Sequence, residues 1–150
     1  MKEENKCRIA KATRFINRIV VHCTATPEGK AFYAKDIDRW HRANGWAGIG
    51  YHYVVDLDGN VELGRSINSK GAHAGEYNYG SIGIVYVGGM TSDNKKAKDT
   101  RTEAQKESLL WLLKEMKRMY PNAQFVGHRD LPGVKKACPC FDVKTEYKDL

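Results

Sequence analysis

Long apolar runs are missing from this sequence: nowhere do 18 or more apolar residues follow one another, which excludes a transmembrane helix of the usual length. The opening segment, Met1-Lys2-Glu3-Glu4-Asn5-Lys6-Cys7-Arg8, is charged where a secretory leader turns apolar, so no leader is expected and the chain is expected to begin its life in the cytoplasm. Cysteine is scarce. The four residues, at positions 7, 23, 138 and 140, are too few and too unevenly placed to be a disulfide scaffold, which leaves reduced thiols or metal ligation. Internal repeats and low-complexity tracts are absent, so solenoids and wholesale disorder drop out. Acidic residues are outnumbered, with 18 Asp and Glu against 25 Lys and Arg and a net charge of +7. That balance favours a polyanionic partner: nucleic acid, anionic lipid or bacterial wall polymer. No paired-cysteine finger or aromatic ribonucleoprotein signature occurs and the basic residues are spread along the chain, so nucleic acid ranks last.

What is present fits one domain of 150 residues with 41% hydrophobic residues, enough for a single packed core. The β-branched run Ile19-Val20-Val21-His22-Cys23 reads as a buried strand closed by Thr26-Pro27-Glu28-Gly29. Ile37, Trp40 and Ala43 recur at helical spacing between Ala34 and Asn44, with Gly45 placed to end the helix. Tyr51 to Val55, Asp58-Gly59 and Val61 to Leu63 read as a hairpin, and Ser81 to Val87 as a further strand. Thr102 and Gln105 fit a capping box, followed by Leu109, Leu112, Leu113, Met116 and Tyr120 on one face until Pro121 stops the helix. Gln124 to His128 reads as a short last strand, and Thr91 to Thr100 as a polar surface loop. This order predicts an α/β fold with a mixed central sheet flanked by helices, a core at about residues 16–145 and an N-terminal arm at 1–15.

Two histidines close strands in this reading, and Cys138 lies ten residues beyond the second of them, in a loop where Pro132, Gly133 and Pro139 can turn the chain back. His22, His128 and Cys138 thus form a candidate zinc triad at strand ends, leaving a fourth position for water. A lone buried His or Cys is more often core or a hydrogen-bond partner, and spacing does not decide between the two. Cys23 alternates away from His22 on the strand and belongs to the core. One residue separates Cys138 from Cys140, too close for both to reach one ion easily, so one ligand is expected from that pair. Cys7 is expected as an incidental exposed thiol, His41 at the core margin or in solvent, His52 as structural or as a support behind the site residues, and Arg129 with Asp130 either orienting a ligand or forming a turn-stabilising ion pair.

Six blocks in series carry a resemblance: Ile19-Val20-Val21-His22-Cys23-Thr24-Ala25-Thr26, Gly50-Tyr51-His52-Tyr53-Val54-Val55, Gly71-Ala72-His73-Ala74-Gly75, Asn78-Tyr79-Gly80-Ser81-Ile82-Gly83-Ile84, Gly127-His128-Arg129-Asp130 and Lys136-Ala137-Cys138-Pro139-Cys140-Phe141-Asp142. In this order the chain resembles the type-2 N-acetylmuramoyl-L-alanine amidases, the zinc family that includes phage amidase lysozymes and peptidoglycan recognition proteins. The resemblance implies one Zn2+ per chain on His22, His128 and Cys138. It also implies active-site roles for Tyr51 and Lys136, and a place for His73 and Asn78 along the substrate groove. Members that only bind peptidoglycan often lack the cysteine ligand, so Cys138 points to catalysis.

The implied reaction is hydrolysis of the amide between N-acetylmuramic acid and the L-alanine of the stem peptide, with peptidoglycan as partner. A phage or prophage endolysin, held in the cytoplasm until released to the wall, is the first expectation. The alternatives are a recognition protein that does not cut and a delivered antibacterial amidase toxin, the latter with an immunity-protein partner. Some short phage amidases also bind and inhibit an RNA polymerase, which makes a polymerase partner a lesser expectation. A monomer is the default.

Overall fold

The computed structural model describes residues 1–150. In chain order the elements are β1 (Arg18–Cys23), β2 (Thr26–Pro27), α1 (Ala34–Ala43), β3 (Tyr53–Val55), β4 (Val61–Leu63), β5 (Ser81–Tyr86), β6 (Gly89–Met90), α2 (Glu103–Met119), β7 (Gln124–Gly127) and α3 (Val143–Glu146). Single 3-10 turns lie at Glu3–Asn5, Gly75–Asn78 and His128–Asp130. The main sheet has the order β4-β3-β5-β1-β7, and β2 and β6 make a separate parallel pair. Strands β3, β5, β1 and β7 are parallel and β4 alone runs against them. The expected mixed sheet is therefore present, with its one antiparallel pair in the expected hairpin.

Strands β1 and β5 read as near-continuous apolar runs because parallel strands in the middle of a sheet are covered on both faces. On one face Ile19, Val21 and Cys23 join Ile82, Ile84 and Tyr86 and pack against Leu109, Leu112, Leu113 and Met116 of α2. On the other face Val54 and Val85 meet Ile37 of α1, and Val20 meets Val126 and Ala74. Cys23 thus lies in the core, on the face opposite Val20 and His22, as alternation requires.

Helix α2 begins where its capping box says it should. The Gln105 N–H donates to Thr102 Oγ1 at 3.0 Å and the Thr102 N–H donates to Gln105 Oε1 at 2.9 Å, which satisfies two otherwise orphan donors. Helix α1 buries only Ile37 fully, and the Tyr33 N–H donates to the Asp36 carboxylate at 2.8 Å at its start. Regular strand structure in the hairpin starts at Tyr53 rather than Tyr51, yet its pairing runs on: Gly64 N–H donates to His52 O and Arg65 N–H to Tyr51 O, each at 2.8 Å.

The N-terminal arm is tied down. The Ala12 N–H donates to the Tyr120 hydroxyl at 2.7 Å, and Arg14 donates to the carbonyls of Ile67 and Ser81. Cys7, expected as an exposed thiol, is half-buried against the α2 side of the core and burial raises its pKa. The charged residues around it hid this, because the packed positions Met1, Cys7 and Ile9 show no short period.

Near the C-terminus Arg101, 1% exposed in its side chain, bridges Asp99 at 2.9 Å and Glu146 at 2.6 Å and lies over the Phe141 ring. For Asp99 burial works against the charge, but the hydrogen bonds and charge of Arg101 prevail and its pKa falls; Glu146 is lowered first by its Arg101 hydrogen bond. Depressed carboxylate pKa values mean stability that is present above the unfolded value near 4 and lost as pH falls through the folded values. Arg101→Met should remove that acid sensitivity. Arg101→Ala should cost about 2 kcal/mol, discounted because both carboxylates are partly exposed; urea midpoints at pH 7 and pH 3 measure both, and an unchanged pH dependence in Arg101→Met would refute the assignment.

Candidate active site and metal centre

Parallel pairing brings strand C-termini to one edge of a sheet, where ligands of open α/β sheets collect. Val21 of β1 is in register with Gly127 of β7, so the next residue of each chain is a histidine at that edge. The His22 and His128 ring centroids are 4.6 Å apart. Asp130 holds the turn carrying His128 by accepting from the Gly127 N–H at 2.7 Å, not through the expected ion pair with Arg129.

The loop bearing Cys138 folds back because Gly127 has no side chain: a Cβ there would lie 2.7 Å from Pro139 Cδ. Tyr86 donates its hydroxyl to Pro139 O at 2.6 Å, and the Arg129 N–H donates to Cys138 O at 2.8 Å. His22, His128 and Cys138 consequently bring one nitrogen or sulfur each to within 4.8 Å of one another. Cys140 is turned elsewhere, with its Sγ 3.4 Å from Gly89 O and 3.9 Å from Cys23 Sγ.

Electrostatics favour the ligand forms of all three groups. Burial, and then the nearby His73 and His128, push His22 well below the usual imidazole range. Burial and the Lys136 ammonium lower His128. The Cys138 thiol is lowered chiefly by the Cys23 hydrogen bond, against burial, with further help from the Cys23 N–H at 3.2 Å and the Lys136 charge. By contrast Cys140 is pushed up to about 12, mainly by burial. Two neutral imidazoles and one thiolate are a zinc donor set with an open fourth position, and atoms sharing a tetrahedral zinc sit about 3.5 Å apart. The residues present fit that ion with small side-chain adjustments.

Tyr51 borders the cluster, its ring 5.0 Å from that of His22. Burial raises its pKa, so the phenol is neutral at physiological pH and can donate. Lys136 is exposed on the rim. His41 stands behind Tyr51, accepting from the Gly50 N–H at 2.8 Å with its ring 5.5 Å from the tyrosine. The His52 ring is held by backbone: its Nδ1 accepts from the Gly83 N–H at 3.0 Å, which leaves its Nε2–H to donate to Ser69 O at 2.8 Å.

His73 lies against His22, its Nδ1 2.8 Å from His22 Nε2. Asn78 Oδ1 accepts from the backbone N–H groups of His73 and Ala74 at 2.9 and 2.8 Å, which holds the loop. Sequence reasoning did not single out Ser81 or Gly83, which also touch His73. A signal for Gly83 existed: a glycine inside a β-branched strand marks a close approach.

Comparison with known proteins agrees with this geometry. A family model described as N-acetylmuramoyl-L-alanine amidase matches residues 12–141. The endolysin of Escherichia phage T7 is 40% identical over 126 residues, covering 84% of this chain and 82% of the relative. The endolysin of Klebsiella phage KP32 is 38% identical over 128 residues, covering 85% and 83%. Among solved structures, N-acetylmuramoyl-L-alanine amidase LysC from Clostridium intestinale URNW superposes with a TM-score of 0.73 at 26% identity, over 95% of each chain.

Proposed function

Because the chain belongs to the N-acetylmuramoyl-L-alanine amidase family, we propose that it is a zinc-dependent peptidoglycan amidase of the phage endolysin kind, cutting between N-acetylmuramic acid and the L-alanine of the stem peptide. The observation that carries this reading is the convergence of His22, His128 and Cys138 beside Tyr51. Zinc held by these three residues would supply Lewis acidity and an activated water, both of which an unreactive neutral amide needs.

The chain's own residues do the rest. Attack turns the amide carbonyl oxygen into an oxyanion, and the Lys136 ammonium at the rim offers it a positive charge and hydrogen-bond donors. The neutral phenol of Tyr51 relays a proton, passing its own to the leaving nitrogen as it takes up the one that the attacking water gives up, since no carboxylate belongs to the cluster. The C–N bond breaks with that proton going to nitrogen, giving a lactyl carboxylate and a free L-alanine amino terminus. The stretch that holds His73 and Asn78 borders the substrate groove. The net charge of +7 draws the protein to an anionic wall polymer.

The test is digestion of a defined muropeptide by protein of known zinc content, before and after a chelator and after zinc is restored. One zinc per chain and a metal-dependent split into sugar and a free L-alanine peptide, read by mass, are expected. Muropeptide bound but left uncut by the zinc-loaded protein would reject the hydrolase and leave a recognition module.

A further inference from the structure

The His73 imidazole occupies a slot built from missing side chains. A Cβ on Gly83, in the middle of β5, would fall 2.7 Å from its Cγ and Cδ2, and one on Gly71 would fall 2.6 Å from its Cδ2. Both glycines therefore leave room for one ring, and β5 gives up a core side chain at Gly83 to seat it. The seated ring reaches His22 Nε2 through Nδ1 at 2.8 Å and Ser81 Oγ through Nε2 at 3.3 Å. Ser81 Oγ also lies 3.3 Å from Asn78 O.

Two directions are open to this chain, set by where the one Ser81 proton goes. With that proton on Asn78 O, Ser81 Oγ accepts from His73 Nε2–H; with it on His73 Nε2, every bond of the chain reverses. The first direction is the one proposed here. His73, neutral, then keeps a lone pair on Nδ1 and accepts from His22 Nε2–H. His22 is thereby held as the Nε2–H tautomer, with the lone pair of Nδ1 free. The serine contacts are long and the His22–His73 contact is short, so the His73 acceptor matters most.

We propose that His73 is a positioning residue: seated on Gly71 and Gly83 and oriented by Ser81, it fixes the tautomer and ring orientation of His22 so that Nδ1 is the nitrogen His22 offers to the metal. The inference rests on the metal reading of the site. An outer partner of a ligating histidine is commonly a carboxylate, carbonyl or water; here an imidazole takes that place.

Two measurements test it. Long-range nitrogen–proton NMR on the metal-free wild-type protein should show His22 protonated on Nε2 and His73 unprotonated on Nδ1. Competition with a chromophoric chelator should show zinc affinity about 10- to 100-fold weaker in His73→Ala. His73→Asn, which restores an acceptor close to the Nδ1 position, should recover most of that affinity, a rescue that a merely space-filling ring would not give. Ser81→Ala keeps the ring seated and should relax the His73 tautomer. Nδ1-protonated His22, or zinc affinity unchanged in His73→Ala, would overturn the proposal. A wild-type protein that binds no zinc would sink the metal reading instead, while the metal-free spectrum still decides the tautomer.

Discussion

Cys138→Ser should fold and lose its metal. The side chain is half-buried at the margin of the main core, with the Cys23 N–H 3.2 Å from its sulfur, and a hydroxyl is close to a thiol in size, so the exchange should disturb the packing little. What changes is the donor. A thiol already lowered towards thiolate by Cys23 and Lys136 becomes an alcohol that keeps its proton near neutral pH, and the set shrinks to two imidazoles. Zinc content should drop from one per chain to below about a tenth under competition with a chelator, and amide cleavage should fall in step. Elemental analysis with urea midpoints separates metal loss from unfolding. A full complement in the variant would move the ligand role to another group; Cys140 could take it only by leaving Gly89 O and the Cys23 thiol.

The site was legible in sequence to the extent that its residues sit where local pattern is strong. His22 and His128 close short strands that the sequence marks, and parallel pairing is enough to bring such ends together, so two of the three ligand candidates were legible in the sequence. Cys138 was legible as a candidate through its turn-rich loop, but Gly127 yielding to Pro139 is a contact across the fold that no spacing displays. The same holds for His73. Its block marked it as part of the groove, whereas its contact with His22 depends on the parallel register of β1 and β5, where Val20 is level with Gly83. The two-residue strands β2 and β6 and the one-turn helix α3 are too short to show a period. The burial of Cys7 is not legible because a few apolar residues among charges can still be held by distant hydrogen bonds, such as that from Ala12 to Tyr120, whose ends lie 108 residues apart.

Lys136→Ala should keep both fold and zinc and lose most turnover. The side chain is exposed, so its removal opens no cavity, and it contributes no donor atom to the cluster. Loss of a group facing a developing oxyanion costs about 10²–10³ in kcat, or roughly 3–4 kcal/mol, and KM should move little because the ground-state carbonyl gains less from the charge. The ammonium also lowers the pKa of His128 and helps lower that of Cys138. Without it the imidazole takes up a proton more readily and the thiol gives one up less readily, so zinc loading in the variant should begin to fail at a higher pH than in the wild type as acid is added. Kinetics at about pH 8, above the ordinary imidazole range, therefore isolate the loss of transition-state charge, and a zinc titration towards pH 5 isolates the effect on the ligands. Lys136→Arg keeps the charge but cannot transfer a proton: near-complete recovery of kcat would assign the lysine a purely electrostatic task, and recovery of zinc loading without kcat would give it a proton to move. Wild-type turnover in Lys136→Ala would remove the lysine from the mechanism altogether.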